Sequence, residues 1–205
     1  MKRKIISLEE ASTILEPHYD NLVSCIGGGV NDYFKVKEFV DGFGRYTKHE
    51  NRTKGSLIHD QIKARILETF GEGSIIESKG LVSLKIQDDF LIRFNKLDNH
   101  KRSAGNNTKQ HIKYMGQSII DGLPDEPTLL FAGYIPDKSW TSIKGIYVAC
   151  WNNSTVEWFD EIGKYTVQQL NIFEKPATEE DQNRMRVRLK GNKKNIDETK
   201  TGTNG

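Results

Sequence analysis

The chain has 205 residues, of which 36% are hydrophobic and 28% charged, with a formal net charge of +2. This is enough for one packed domain with an appendage, and so small a charge does not by itself indicate a nucleic-acid-binding protein. No apolar run reaches the ~20 residues of a membrane span, and the basic N-terminus lacks the apolar stretch of a signal peptide. Cys25 and Cys150 belong to no CxxC or Cys/His cluster, so we expect buried thiols in a cytoplasmic protein.

The N-terminal segment, residues 1–50, is predicted to be helical. Ser7 and Glu10 form a capping box, because the hydroxyl and the carboxylate can satisfy each other's free amides. Apolar residues follow at helical spacing up to Gly27-Gly28-Gly29, which is predicted to break the helix. The glycines lack the preceding strand and the following Lys-Ser/Thr of a phosphate-binding loop.

The strongest helical pattern of the chain ends at Gly71. Ser56 is predicted as its N-cap, so the polar and basic stretch from Arg45 to Lys54 would precede the helix as a loop. Asp60 would then lie near the positive end of the helix dipole. The apolar stripe recurs every four residues, at Ile58, Ile62, Ile66 and Phe70.

Six short strands are predicted after this helix. In the second strand Leu84 alternates with Ser83 and Lys85, which indicates that one face of the sheet is exposed to solvent. Asp88-Asp89 and Asn152-Asn153 are predicted as tight hairpin turns. The predicted strands are 74–77, 81–86, 90–94, 128–134, 145–151 and 155–160, with a helix over 108–120 between the third and the fourth.

The order of these elements predicts an α+β fold, in which a helical N-terminal part packs on a mostly antiparallel sheet of about six strands. Residues 1–172 are expected to form a single domain. From residue 173 onward apolar residues are scarce, so residues 173–205 are predicted to be a flexible polar and basic tail. Within it, Met185–Lys190 alternates apolar and basic residues and is a candidate arm for a protein partner or nucleic acid.

Basic residues near the predicted turns form the first candidate site. One cluster precedes the main helix and another surrounds the third strand, and together they can bind phosphate groups if they reach one surface. Arg93 faces away from its neighbours Ile92 and Phe94, and an arginine in that position can grip a phosphate or a carboxylate with two hydrogen bonds. The alternative is that the charges only solvate the surface. The candidate binding residues are Arg45, Arg52, Lys54, Arg93, Lys96, Lys101 and Arg102.

Acidic residues form a second candidate site. Helix, three strands and helix is the element order of restriction-nuclease cores, in which two acids hold Mg²⁺ and a lysine of a Glu-x-Lys motif steadies the attacking water. Glu77-Ser78-Lys79 has that spacing, with Asp60 before it and Asp88 or Asp89 after it. However, Asp60 falls on a helix, and Glu77-Ser78-Lys79 runs into Gly80 as a hairpin turn would. Magnesium is expected only under this alternative, and no other cofactor or metal site is predicted.

Three segments together resemble a group of uncharacterised bacterial proteins: Ser56–Asp60, Leu91–Asp98 and Ala132–Tyr134. The resemblance covers roughly residues 50–160. It implies a gene in a mobile or defence-like locus, beside helix-turn-helix regulators or zincin-like peptidases of the ImmA/IrrE kind. It brings no established active site.

Taken with the basic clusters, the resemblance predicts an accessory or regulatory protein of a bacterial mobile-element or toxin–antitoxin-like locus. Such a protein would bind a protein partner or nucleic acid through its basic loops. The alternative is a divergent Mg²⁺-dependent nuclease, so enzymatic activity stays open. The sequence does not distinguish DNA from RNA and does not indicate an oligomeric state.

Overall fold

The computed structural model describes residues 2–43, 48–104, 108–138, 140 and 142–164. Arg45 and the predicted tail lie outside these ranges. Within them the elements are α1 (Leu8–Leu15), α2 (Tyr19–Asp41), α3 (Asn51–Phe70), β1 (Ile75–Ser78), β2 (Leu81–Ile86), β3 (Phe90–Lys96), α4 (Lys109–Met115), β4 (Thr128–Pro136), β5 (Ile143–Asn152) and β6 (Thr155–Gly163). None of the described helices has the length and apolarity to cross a membrane.

The six strands form one sheet in the order β1-β2-β3-β4-β5-β6. All neighbouring pairs are antiparallel except β3 and β4, which are parallel. The predicted α+β fold, with a helical N-terminal part and a mostly antiparallel six-stranded sheet, is therefore confirmed. The parallel pair was not predicted. Parallel neighbours need a long crossover connection, and the helix expected between the third and fourth strands indicated such a connection.

One face of the sheet, called here the helical face, is covered by α2 and α3. The predicted apolar stripe of α3 is confirmed, since Ile58, Ile62 and Ile66 are at most 1% exposed. They share one hydrophobic cluster with Ile92 of β3 and Leu130 of β4. Burial of this stripe holds α3 across the middle strands and fixes where its polar first turn lies.

The triple glycine, residues 27–29, does not break a helix, because α2 runs through it without interruption. The predicted break is therefore wrong. A Cβ on Gly29 would lie 2.6 Å from Cγ1 and 2.8 Å from the backbone nitrogen of Ile62, and a Cβ on Gly28 would lie 2.5 Å from Nη1 of Arg65. The glycines are thus required for close packing of α2 against α3.

The start of α3 also differs from the prediction. The helix begins at Asn51 and not after Ser56, because packing on the sheet supports turns that lack an apolar stripe. Arg52 and Lys54, predicted in the preceding loop, consequently lie in the first helical turn. Asp60 lies halfway along the helix, so its predicted position near the positive end of the helix dipole is wrong.

The opposite face of the sheet, called here the α4 face, is covered by α4 and the segment that follows it. Ser83, predicted to face solvent, is fully buried, so the predicted wet face is wrong for this strand. Tyr114 of α4 is fully buried on the same face, where its hydroxyl donates to the Leu91 carbonyl oxygen at 2.6 Å and lies 3.1 Å from that of Leu130. This contact joins α4 to the parallel strand pair.

The hairpin turns follow the prediction closely. Asp88 and Asp89 lie in the turn between β2 and β3 as expected, together with Gln87, whose φ is +51°. At the β5–β6 turn Asn152 pairs with Thr155. The two turn residues are therefore 153 and 154, one position later than predicted.

Candidate functional site

Two groups of basic side chains differ in what they contact. The first group forms ion pairs with carboxylates and consists of Lys35, Lys37, Lys63, Arg65, Lys79 and Lys85. The second group, called here the aromatic-backed cations, lies over aromatic rings and consists of Lys54, Arg93, Lys96, Lys101 and Arg102. No ion pair joins the second group to a carboxylate within the described ranges. All of its members are among the residues predicted to bind a partner.

The first pair of aromatic-backed cations meets at Trp140, in the connection between β4 and β5. Lys54 comes from the first turn of α3 and Lys96 is the last residue of β3. Their Nζ atoms lie 5.3 and 4.7 Å from the centroid of the indole ring. The Tyr134 ring packs on the indole in a T-shaped contact, with the ring centroids 6.5 Å apart. Lys54, Lys96 and Trp140 are called here the indole site.

At the indole site two positively charged side chains lie close together. Burial lowers the pKa of Lys96, and the Lys54 ammonium lowers it further. The N-terminal end of α3 adds partial positive charge, because a helix dipole points its positive end there. No residue of the first turn is acidic, although the N-cap residue is Glu50. An anion that reaches this site relieves the repulsion between the two ammonium groups.

The second pair of aromatic-backed cations lies on the α4 face. The Nζ atom of Lys101 is 4.9 Å from the ring centroid of Tyr147 and 4.8 Å from that of Phe159, and the guanidinium of Arg102 is 5.2 Å from the centroid of Trp151. These five residues are called here the loop site. All of them except Tyr147 border an open cleft of about 530 Å³, at whose edge Phe159 is 45% exposed.

Hydrogen bonds fix the backbone of the loop that carries Lys101 and Arg102. Oδ1 of Asp98 accepts from the backbone nitrogens of His100 at 2.8 Å and Arg102 at 2.9 Å. Nε1 of Trp151 donates to the Lys101 carbonyl oxygen at 3.0 Å. The loop is therefore shaped by its own aspartate and by the ring that supports Arg102, and the two cations project from a defined backbone.

Arg93 is the innermost of the aromatic-backed cations. Its side chain turns away from the cluster that holds Ile92 and Phe94, as predicted, and its guanidinium lies 5.2 Å from the ring centroid of Tyr114. Arg93 is half-buried, with a buried Nη1 that has no hydrogen-bond partner. Burial lowers its pKa. The predicted two-hydrogen-bond grip on an external anion stays a prediction.

The structure brings the predicted basic residues together only in part. Lys54 and Lys96, from the two predicted clusters, meet on the helical face. Lys101 and Arg102 lie on the α4 face, so the clusters form two sites on opposite sides of the sheet instead of one surface. Arg52 is exposed in the first turn of α3, and Arg45 lies outside the described residues.

The acidic residues of the nuclease alternative have separate neighbours. Glu77 pairs with Lys63 at 3.3 Å, Lys79 with Asp121, and Asp88 with Lys85 at 2.5 Å. The nearest basic group to Asp60 is His59, whose Nδ1 lies 3.8 Å away. All of these side chains reach the surface. They are solvated or ion-paired charges, of the kind that contributes little to stability.

The positions of these acids on the sheet keep them apart. Glu77 lies beside Val82 at the start of β2, whereas Asp88 and Asp89 follow the end of that strand. Glu77-Ser78-Lys79 leads into a hairpin turn as predicted, with φ of +50° at Lys79. No group of three or more His, Cys, Asp or Glu side chains in the described part of the chain is arranged to hold a metal ion. Magnesium remains a prediction of the nuclease alternative alone.

Both cysteines are buried free thiols, as predicted. Burial raises the pKa of the Cys25 thiol, and burial followed by the charge of Glu157 raises the pKa of Cys150 to about 12. A nucleophilic role needs the thiolate, so these values favour packing as the role of both side chains.

The aromatic rings are the part of the two candidate sites that was not predicted from the sequence. No role was predicted for Trp140, Tyr147, Trp151 or Phe159. A usable signal was present for Phe159, because it alternates with the buried Trp158 and therefore faces away from the helical face on β6. For Trp140 the sequence offers no such signal, since its position depends on the connection between β4 and β5.

Comparison with known proteins finds no relative. No protein-family model, no curated protein and no solved structure matches the chain. The resemblance to bacterial proteins of mobile or defence-like loci therefore stays a prediction. The geometry of the indole site and the loop site is the remaining basis for proposing a function.

Proposed function

We propose that this protein is an accessory or regulatory protein that binds nucleic acid through the indole site and the loop site. One observation carries the proposal: four of the seven predicted binding residues, Lys54, Lys96, Lys101 and Arg102, lie over aromatic rings without a carboxylate partner among the described residues, while six other basic side chains are ion-paired. Cation–π contact holds a charge in place without neutralising it. These charges therefore stay available to an anionic partner.

Nucleic acid is complementary to both the cations and the aromatic rings of each site. Its phosphates pair with lysine and arginine, and release of their counterions makes binding strongly dependent on salt. Its bases stack on aromatic side chains when they are not paired, which favours a single strand over a duplex. The exposed ring of Phe159 beside Lys101 supports stacking of a base at the loop site, with Lys101 moving to the adjacent phosphate.

At the indole site the expected ligand group is a phosphate. Two ammonium groups converge there, and a phosphate between them replaces repulsion by two charge-assisted hydrogen bonds. Because the indole site and the loop site lie on opposite faces, we expect a bound strand to pass around the end of the sheet where β3 leads into its loop. A protein partner with an acidic surface is the competing occupant, and the proposed place in a mobile or defence-like locus is compatible with either.

The test is a binding assay with matched charge changes. Single- and double-stranded DNA and RNA of about 20 nucleotides, longer than one single-strand site, are titrated and binding is followed by fluorescence anisotropy. The test variants are Lys54→Met/Lys96→Met and Lys101→Met/Arg102→Met. The control is Lys63→Met/Lys85→Met, which removes the same charge from lysines that are ion-paired.

We expect each test variant to weaken single-strand binding at least tenfold and to lower the salt slope by about 1 to 2, roughly one unit for each phosphate that the protein no longer neutralises. The control is expected to stay within twofold of the wild type. An equal weakening in the control means that binding depends only on the net charge of the protein. If the protein binds none of the probes, nucleic acid is excluded as the partner and an acidic protein becomes the proposed partner. Incubation of the same probes with Mg²⁺ or Mn²⁺ tests the nuclease alternative, which requires cleavage that Glu77→Ala abolishes.

A further inference from the structure

Arg93 is a positive charge inside the α4 face, and no carboxylate in the described ranges forms an ion pair with it. Three groups have a pKa that its charge lowers: His59, His111 and Tyr114. None of them is an acid ionised at neutral pH, because burial raises the pKa of Tyr114 well above its usual value. The guanidinium of Arg93 makes no hydrogen bond to any residue that the structure describes, and its Nη1 is buried.

A second arginine shows how the same fold partners a buried guanidinium. Arg3 is 6% exposed. Its Nε donates to the carbonyl oxygen of Ser118 at 3.3 Å, and its Nη1 donates to that of Pro127 at 3.0 Å and to that of Pro124, while its Nη2 is buried without a partner. Two of the three guanidinium nitrogens of Arg3 therefore have backbone acceptors, whereas the contact described for the Arg93 guanidinium is with the face of the Tyr114 ring. An ionised side chain taken out of water without hydrogen bonds is costly.

His111 places a second unsatisfied polar atom in the same region. It is 5% exposed, and its Nε2 is buried without a hydrogen-bond partner. Its ring and that of Tyr114 both pack on Phe131, with centroid distances of 5.6 and 5.0 Å, and Phe131 is the direct neighbour of Arg93 across the β3–β4 pair. Phe131 thus brings the guanidinium and the imidazole to one place.

We propose that Arg93 and His111 form a binding site for a small molecule that carries one compact oxyanion, a phosphate or a carboxylate group. The oxyanion accepts from Nη1 of Arg93 and from Nε2 of His111, with the His111 tautomer that carries its proton on that nitrogen. Both buried donors are then satisfied, and the guanidinium acquires the negative charge that the described residues do not provide.

Arg93 is the more accessible of the two side chains. The half-buried state of Arg93 leaves part of its side chain in contact with solvent. A small anion can therefore approach the guanidinium there, while a nucleic-acid strand needs the more open indole and loop sites. The proposal holds whether or not the protein binds nucleic acid.

The first experiment measures thermal unfolding with increasing inorganic phosphate, and separately with acetate, against sodium chloride at equal ionic strength. We expect a saturable rise of the midpoint by several degrees with at least one oxyanion, because a ligand that binds only the folded state stabilises it. The response to phosphate or to acetate identifies the class of the headgroup. A rise no larger than that in chloride overturns the proposal.

Two variants assign the effect to this site. Lys54→Met/Lys96→Met removes the ammonium pair of the indole site and serves as the background, so that phosphate bound there does not contribute. In this background the saturable rise is expected to remain, and it is expected to be lost when Arg93→Met, which keeps an apolar stem against Tyr114, is added. A rise that is absent from the background variant, or that persists after Arg93→Met is added, contradicts the assignment.

A measurement on the wild type keeps the test valid if Arg93→Met does not fold. The imidazole nitrogens of His111 are followed by NMR during the same titrations. A bound oxyanion is expected to shift the Nε2 resonance with the midpoint seen in thermal unfolding, and to raise the pKa of His111. An unchanged His111 signal at oxyanion concentrations that stabilise the protein places the anion elsewhere and overturns the proposal.

Discussion

Lys54 and Lys96 hold their ammonium groups over one ring, at 5.3 and 4.7 Å from the centroid of the Trp140 indole. Lys54 lies in the first turn of α3 and Lys96 at the end of β3. Their approach therefore depends on the packing of the helix across the sheet. The fold places the two ammonium groups close enough to repel each other, and this repulsion is the physical reason to expect an anion at the indole site.

Replacement of Lys54 by methionine is expected to raise the pKa of Lys96. The Lys54 charge is one of the two causes that lower this pKa, and burial, the larger cause, remains in the variant. The pKa should therefore move toward its usual value without reaching it, and stability at neutral pH should change by no more than about 0.5 kcal/mol, as for other charge pairs near the surface. NMR titration of the Lys96 side chain measures the pKa. An unchanged value means that the two ammonium groups do not interact in solution.

Phe159→Ala is expected to weaken binding of single-stranded nucleic acid by about tenfold, because each base–aromatic stack contributes roughly 1–3 kcal/mol. Duplex binding should change by less than twofold, since paired bases do not stack on the ring. The side chain is 45% exposed, so the free energy of unfolding should change little. Anisotropy titrations with both probes measure the difference. Equal weakening of both would show that the ring only positions Lys101.

The glycines of α2 give a prediction about stability. Gly29→Ala places a Cβ 2.8 Å from the backbone nitrogen of Ile62, where neither helix can yield easily. We expect a loss of about 1–3 kcal/mol, as in other overpacked cores. Gly28→Ala should cost less, because its Cβ meets the movable end of the Arg65 side chain. Urea unfolding measures both variants.

Gly55→Ala is the matched control for these variants. It lies in α3 with no atom within 4 Å of its added Cβ. Alanine there should stabilise the protein by about 0.5–1 kcal/mol, because alanine loses less backbone freedom than glycine in a helix. If Gly29→Ala is stabilising to the same degree, the two helices do not pack as closely as described.

Gln117 ties the segment after α4 to two strands. The side chain is 1% exposed. Its Nε2 donates to the carbonyl oxygens of Leu129 at 2.7 Å and Trp151 at 2.9 Å, and its Oε1 accepts from the backbone nitrogen of Leu129 at 2.9 Å. Gln117→Leu leaves these buried backbone groups unsatisfied, at about 1–3 kcal/mol for each group. We expect a loss of at least about 2 kcal/mol in chemical unfolding. A smaller loss would mean that water replaces the amide.

Local signals in the sequence predicted the elements that depend on local interactions. Ser7 accepts from the Glu10 backbone nitrogen at 3.3 Å, as the capping box required. The stripe Ile58, Ile62 and Ile66 is buried because its spacing matches the helix repeat, and the strands follow alternation and turn residues. These features require no knowledge of which elements meet, so the fold class could be predicted.

Features that depend on the packing of distant elements were missed. A glycine run indicates a helix break until Ile62 and Arg65 of another helix are known to fill the space above it. The basic residues were identified from composition near turns, but their separation into ion-paired and aromatic-backed groups depends on partners far along the chain, such as Trp140 for Lys54. The candidate site was therefore predictable as a set of charges and not as two sites.

The pH dependence of stability should report His111. Burial lowers its pKa below 6.5, and the charge of Arg93 lowers it further. The unfolded chain therefore binds a proton at higher pH than the folded protein does, so stability rises with pH in this interval. We expect stability to fall as the pH drops through about 6.5 and to level off below the folded pKa.

His111→Gln should reduce this pH dependence, because glutamine keeps a polar side chain that does not titrate. Chemical unfolding between pH 7.5 and 5, roughly one unit either side of the ordinary histidine pKa, measures the slope in a cationic buffer with chloride as the only anion. An oxyanion bound beside Arg93 would offset part of the positive charge and raise the pKa of His111, so added phosphate or acetate should also flatten the slope in the wild type. An equal slope in His111→Gln and the wild type would assign the pH dependence to other groups, among them the partly buried His59, whose pKa is also lowered, first by burial.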